Sequence, residues 1–182
     1  PNIFDQSLDK KGSGIWIHGM PLYSDRENFT KGCIALNNSE LETLEKSIDL
    51  NKSVLLTYGN DFKKVTKDEI ALVLSSIYKW KDAWKTSDID GYLSFYSDNF
   101  KRSNKTDFTL FKEQKKSVFA KKEQKSIKFI NIDLSPYPNS LGKNMFKVLM
   151  DEEYTSPSVK FNGKKELFLE IANNQVKILS ED

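Results

Sequence analysis

Apolar and polar positions alternate along this chain in two distinct rhythms, and the change from one to the other marks its architecture. From Thr66 to about Lys85 the apolar residues Ile70, Val73, Ile77, Trp80 and Trp84 recur at helical spacing. Thr66 followed by Glu69 is the signature of a capping box at the start of that helix. Asp88 opens a short second helix carrying Ile89, Tyr92, Leu93 and Tyr96. Thr106 opens a third, with Phe108, Phe111, Val118 and Phe119 inward. The outer face of the third helix holds Lys112, Lys115, Lys116, Lys121, Lys122 and Lys125, and a run of this kind reads as a solvated face. Contact with an anionic polymer is the alternative reading of that face.

From Ser126 the period falls to two. Ile127, Phe129 and residues 132–134 predict a strand ending at Ser135-Pro-Tyr-Pro. Phe146, Val148 and Met150 predict another, reaching Thr155. Val159 and Phe161 lead into Asn162-Gly163, which reads as a hairpin turn. Leu167, Leu169 and Ile171 follow, then a turn at Asn173-Asn174, then Val176 and Ile178. Three helices followed by a long antiparallel meander define an α+β order over residues 66–182. The aromatic stripe of Trp80, Trp84, Tyr92, Phe95 and Tyr96 reads as core.

Ahead of residue 60 the pattern is shorter and more broken. Residues 1–14 read as a loop. Gly14-Ile-Trp-Ile predicts a buried strand that delivers His18, and Thr30-Lys-Gly-Cys a tight turn before Ile34-Ala-Leu. Residues 21–29 form a polar loop. Ser39 with Glu42 caps a helix over about 40–48 whose inner face is Leu41, Leu44 and Ile48. Ser53–Tyr58 reads as a buried strand, and residues 59–66 as the boundary between two domains, 1–60 and 66–182.

Composition narrows the function. Among 182 residues, 12 Phe, 7 Tyr and 3 Trp supply ample core, and a net charge of +2 is too small to argue for a nucleic-acid partner. No apolar run reaches membrane-spanning length. The one cysteine excludes an internal disulfide framework. The one histidine, His18, and that cysteine, Cys33, both lie in the segment 14–36, each beside a glycine (Gly19 and Gly32). A thiol needs a base to become a nucleophile near neutral pH, and imidazole is the usual one. The chain thus offers one nucleophile–base pair, and backbone N–H groups of the turn at Gly32 and Cys33 are placed to hold an oxyanion. Arg26 and Lys31 are candidates to meet a substrate carboxylate.

His18-Gly19, a spacer, and Thr30-Lys31-Gly32-Cys33-Ile34 resemble the active-site signature of the YkuD-type L,D-transpeptidases, cysteine enzymes of bacterial peptidoglycan. That family continues after Gly-Cys-Ile with an arginine or another polar residue, where this chain has Ala35-Leu36. The strings Ile-Trp-Ile-His-Gly-Met-Pro and Thr-Lys-Gly-Cys-Ile-Ala-Leu are most similar to the cell-shape L,D-carboxypeptidases of helical and curved bacteria. The resemblance implies that Cys33 forms an acyl-enzyme, that His18 is the base, and that a carbonyl near Gly19 orients its ring. It also implies that Gly32, Thr30, Lys31, Trp16, Arg26 and Ala35 line the substrate site. The implied reaction is removal of terminal D-Ala from peptidoglycan tetrapeptide stems in the periplasm, with neither metal nor cofactor. The alternatives are transpeptidation or D-amino-acid exchange, and a non-catalytic wall-binding protein. The family's catalytic sheet has further strands upstream, so the resemblance also implies that Pro1 lies inside a larger protein. Residues 66–182, through Trp80, Trp84, Asp90 and Tyr96-Ser-Asp-Asn-Phe100, resemble the nuclear-transport-factor-like (SnoaL-type) cone. Its implied part is contact with the cell wall or a partner protein. The expected architecture is therefore α+β: the end of a mostly-β catalytic domain, then an α+β cone.

Overall fold

The computed structural model describes residues 1–23, 30–50, 52–59 and 64–182. They form two compact units. One is Lys11–Leu55; the other joins Pro1–Lys10 to Leu56–Asp182.

The chain opens with helix α1 (Ile3–Ser7), where a loop was expected. A five-residue helix has no stability of its own. Two features hold this one: Asn2 caps it by accepting from the Asp5 N–H at 2.9 Å, and Phe4 is buried with Met145, Phe168 and Leu179. The Phe4 ring stacks on Phe168 at 5.5 Å. The first ten residues therefore group with the C-terminal elements and not with the His18 segment.

The smaller unit contains β1 (Ile17–Gly19), β2 (Ile34–Leu36) and α2 (Asn38–Ser47). The two strands pair in parallel, with Ile17 opposite Ile34, His18 opposite Ala35 and Gly19 opposite Leu36. Three expectations change here. The strand starts at Ile17, because Ile15 and Trp16 face solvent. Helix α2 starts two residues early, with Asn37 at its N-cap and Glu40 reaching back to the Asn37 N–H at 3.2 Å. Its apolar positions Leu41, Leu44 and Ile48 are half-buried, not core. Ser53–Tyr58 forms no strand: Val54 is 68% exposed and Leu55 59%, and no strand among the described residues pairs with this run.

The larger unit is the expected cone. Helix α3 (Lys67–Thr86) carries the predicted capping box, with Thr66 Oγ1 accepting from the Glu69 N–H at 3.1 Å and Glu69 Oε2 accepting from the Thr66 N–H at 2.9 Å. Its C-terminus closes on Ser87 in the left-handed region, and the Asp88 N–H returns to the Ala83 carbonyl. Helix α4 (Ile89–Leu93) is capped by Asp88, as read from the sequence. Helix α5 (Phe108–Phe119) starts one residue later than expected, capped by Asp107, whose carboxylate accepts from the Leu110 N–H.

Strands β3 (Ser126–Pro136), β4 (Met145–Thr155), β5 (Lys160–Ala172) and β6 (Gln175–Glu181) form an antiparallel sheet in that order. Alternation splits its side chains between two faces. Phe146, Val148, Met150, Leu167, Leu169, Val176 and Ile178 meet Trp80, Trp84, Tyr92 and Tyr96 in the main core. Met145, Phe168 and Leu179 lie under α1. Asn162 and Gly163 are not a turn but lie inside β5, opposite Glu153 and Glu152. The turn falls at Ser156–Val159, closed by the Ser156 N–H on the Val159 carbonyl at 2.7 Å. Gly163 fits a strand interior because the Phe161 ring lies over it; an added Cβ would stand 2.5 Å from that ring.

The sheet is broken twice. Asn131, with positive φ, marks a bulge in β3 and donates to Asp151 Oδ2 at 2.6 Å. In β6, Leu169 pairs with Ile178 but Phe168 pairs with Ser180, so Leu179 is the extra residue. A bulge reverses the alternation beyond it. Glu181, opposite Leu167, consequently faces the core instead of solvent.

Candidate functional site

Residues Thr30 to Cys33 make the turn that precedes β2. Gly32 has φ +104°, a conformation open to glycine. Thr30 ties the turn: its Oγ1 accepts from the Cys33 N–H at 3.0 Å and lies 3.3 Å from the Cys33 carbonyl. This bond takes up the Cys33 N–H expected to face an oxyanion, and leaves Gly32 N–H as the turn's candidate for that part. The Cys33 thiol is half-buried and points to the Gly14 carbonyl at 3.5 Å.

His18 stands at the centre of β1. Its Nδ1 lies 2.8 Å from the Gly19 carbonyl, which can only accept, so a proton sits on Nδ1. The register relates the base to the nucleophile. His18 is opposite Ala35, so the two share one face, and Cys33 directly precedes β2 with its thiol on the Gly14 carbonyl. Strand spacing puts the Cα atoms of His18 and Cys33 on the order of 8 Å apart, within reach of an imidazole and a thiol turned toward each other. Ala35, with the smallest side chain that could stand between them, leaves this face open.

The other expected site residues are spread around this pair. Lys31 is exposed, and Trp16 is 68% exposed. Arg26 lies outside the described residues. One residue that sequence reasoning did not single out joins the site: Asn38, the first residue of α2, accepts from the Met20 N–H at 2.8 Å through Oδ1. Among the described residues no group of three or more His, Cys, Asp or Glu is placed to hold a metal ion.

The larger unit holds a second polar assembly that the sequence reading missed. Glu181, with no exposed surface, is ion-paired to Arg102, and its Oε2 is 2.8 Å from the Tyr96 hydroxyl and 3.8 Å from Lys165 Nζ. The Tyr92 hydroxyl is 2.7 Å from that of Tyr96, and Glu152 is 3.7 Å from Lys165 Nζ. Burial alone would raise the Glu181 carboxyl, but Lys165, Lys115 and Arg102 around it hold it down at about 2. Burial, and then the Glu181 charge, push the Tyr92 and Tyr96 hydroxyls well above their ordinary range. Two of the lysines assigned to the solvated face of α5 and its end turn inward. Lys115 Nζ lies 5.1 Å from the centre of the Phe111 ring and 5.4 Å from that of Trp84, and burial lowers it to about 8. Lys125 is buried and donates to Ser87 Oγ. Two buried N–H donors, Trp80 Nε1 and Arg102 Nε, and the Ser180 hydroxyl have no hydrogen-bond partner among the described residues.

Together these features define a chain of two units: a short parallel strand pair that holds His18 and follows Cys33, and a helix-lined cone with a charged interior. The chain belongs to the family of the Cds6 C-terminal NTF2-like domain, which it matches over residues 72–182. Residues 2–56 match the L,D-transpeptidase catalytic domain, YkuD. Among solved structures it is similar over its whole length to the helical cell shape determining protein Pgp2 from Campylobacter jejuni, with 41% identity and a TM-score of 0.90. A point mutant of that protein gives 39% identity and a TM-score of 0.93. Bd1075 from Bdellovibrio bacteriovorus shares the fold at 23% identity and a TM-score of 0.78. The chain spans 64–65% of the length of these three structures. No curated protein matches it.

Proposed function

We propose that this chain carries the reactive end of a cysteine L,D-carboxypeptidase that removes terminal D-Ala from peptidoglycan tetrapeptide stems in the periplasm and so influences cell shape. The observation that supports this reading is the parallel pairing of β1 with β2, in which the strand holding His18, its Nδ1 on the Gly19 carbonyl, runs beside the strand that Cys33 leads into. The match of residues 2–56 to a catalytic domain supports the chemistry. The likeness to a helical cell shape determining protein supports the role.

In this mechanism His18 Nε2 takes the thiol proton of Cys33. The thiolate attacks the carbonyl carbon of the residue preceding D-Ala, and the oxyanion is held at the Gly32 N–H. Collapse breaks the C–N bond while His18 returns the proton to the leaving amine, and D-Ala departs. Water then attacks the thioester, His18 accepting its proton. The C–S bond breaks, His18 returns its proton to the sulfur, and the tripeptide acid leaves as a carboxylate, its proton passing to solvent. Ala35 favours water as the second nucleophile, because it offers no polar group beside His18 to orient an incoming amine. Trp16, Thr30, Lys31 and Arg26 shape the peptide site.

The test is mass spectrometry of tetrapeptide muropeptides incubated with the full-length protein and with its Cys33→Ala variant. Loss of one alanine that depends on Cys33 is expected, with a rate loss of at least about a thousandfold in the variant. Cross-linked or D-amino-acid-exchanged products would assign the transpeptidase reaction instead. No turnover, with a Cys33 thiol inert toward alkylation at neutral pH, would leave a wall-binding protein.

A further inference from the structure

The peptide unit between Gly19 and Met20 is gripped on both of its polar sides. Its carbonyl lies 2.8 Å from His18 Nδ1, and its N–H, on Met20, donates to Asn38 Oδ1 at 2.8 Å. The packing at Gly19 tells the same story. A Cβ added there would stand 2.2 Å from Asn38 Oδ1 and 3.2 Å from Asn38 Cγ, so the Asn38 amide oxygen fills the space beside the glycine. Asn38 itself is well anchored. It is the first residue of α2, whose start is held by the Glu40 carboxylate on both the backbone and side-chain N–H groups of Asn37 at 3.2 Å. Only Asn37 separates α2 from β2.

From this geometry we propose that Asn38 is a positioning residue for His18, acting through the Gly19–Met20 peptide. Rotation of that peptide plane would carry the Gly19 carbonyl away from the imidazole. The Asn38 Oδ1 bond to the opposite edge of the same plane prevents the rotation. It also polarises the peptide, which strengthens the carbonyl as an acceptor. The outcome is a histidine held in one orientation and one tautomer, with the proton on Nδ1 and the lone pair on Nε2. A carboxylate does this for histidine in many sites; here a peptide braced by an asparagine takes its place. The same contact explains why residue 19 is glycine. Its φ lies outside the left-handed region, so the requirement is the space taken by the Asn38 amide, not backbone strain.

The inference rests on the reading of His18 as a base only for its kinetic consequence; the tautomer is testable without it. The experiment is nitrogen NMR of the histidine ring in 15N-histidine-labelled full-length protein, the His18 signal being the one removed by His18→Gln. The wild type is expected in the Nδ1–H form. Asn38→Leu keeps the side-chain size but offers no acceptor, and is expected to bring in the Nε2–H form. It should also lower kcat about ten- to a hundredfold with KM within twofold, the range for groups that orient a ligand or base. Asn38→Asp keeps the acceptor oxygen and is expected to restore both the tautomer and most of kcat. A folded Asn38→Leu protein with the wild-type tautomer would overturn the proposal. Where Asn38→Leu does not fold, Gly19→Ala with Asn38→Ala decides: the pair removes the clash along with the acceptor, so a wild-type tautomer in it would equally overturn the proposal. Absence of D-Ala release by the wild type would count against the proposed reaction and leave the tautomer result standing.

Discussion

Glu181 is charged in a place with no access to water, and the surrounding cations decide its effect on stability. Arg102, Lys115 and Lys165 hold its carboxyl at about 2 in the folded protein, against an ordinary value of 4.5. A depressed carboxyl contributes stability that is complete above the unfolded value and is lost as pH falls from about 4.5 to about 2. The linkage amounts to about 3 kcal/mol. Replacing Glu181 with Gln leaves three cations facing a neutral group, and should cost about 3–5 kcal/mol at pH 7. Urea unfolding from pH 7 to pH 2 checks this: the difference between wild type and Glu181→Gln should shrink toward pH 2. An undiminished difference would mean that the carboxylate charge is not what stabilises the fold. Lys115 has the opposite sense. Its value of about 8 lies below the ordinary 10.5, so the folded state gives up that proton first and this group favours folding increasingly from pH 8 upward.

At the scale of elements, the contrast between legible and illegible parts follows from what each signal measures. Caps are local: Thr66 with Glu69, and Asp88, make the bonds that their spacing predicts, whereas α2 and α5 are capped by Asn37 and Asp107 instead of the neighbouring Ser39 and Thr106. The Asn173-Asn174 turn held for the same reason, both residues taking positive φ between Ala172 and Gln175. Asn162-Gly163 has the same local look, yet the register of β4 with β5 runs straight through it and the Phe161 ring fills the space over the glycine. The bulge at Leu179 is invisible in an alternating pattern, and it alone turns Glu181 inward; counting on from Val176 and Ile178 puts Ser180 inside instead. His18 and Cys33 were legible as types and spacing, whereas Asn38 was not, since its part depends on the space beside Gly19. Helix α1 was missed because its stability is tertiary. Phe4→Ala should therefore cost about 3 kcal/mol in the larger unit, seen as a lower urea midpoint at unchanged slope. An effect below about 0.5 kcal/mol would show that α1 adds little to the sheet face it covers.

Across the whole molecule, burial is divided unequally between the two units. None of the described residues in Lys11–Leu55 is buried, whereas the larger unit encloses Val73, Tyr92, Phe111, Val148 and Leu167 without exposed surface. Stability comes mainly from apolar area removed from water, and of the burial within these 182 residues Lys11–Leu55 supplies little. The strands that present His18 and Cys33 are three residues each, and their ladder is correspondingly brief. Local opening costs the least where few apolar contacts resist it. In this 182-residue chain the amides of β1, β2 and α2 should thus exchange with solvent at least about a hundredfold faster than those of α3 and β4. That ratio corresponds to a difference of about 3 kcal/mol in opening free energy. Hydrogen exchange followed by mass spectrometry measures both groups in one experiment. Equal protection would mean that the pairing of β1 with β2 is supported as strongly as the cone itself, and that the orientation of His18 is set by the fold at large. Faster exchange in the smaller unit would instead leave that orientation to the local contacts at Gly19, Met20 and Asn38, where single substitutions have their greatest leverage.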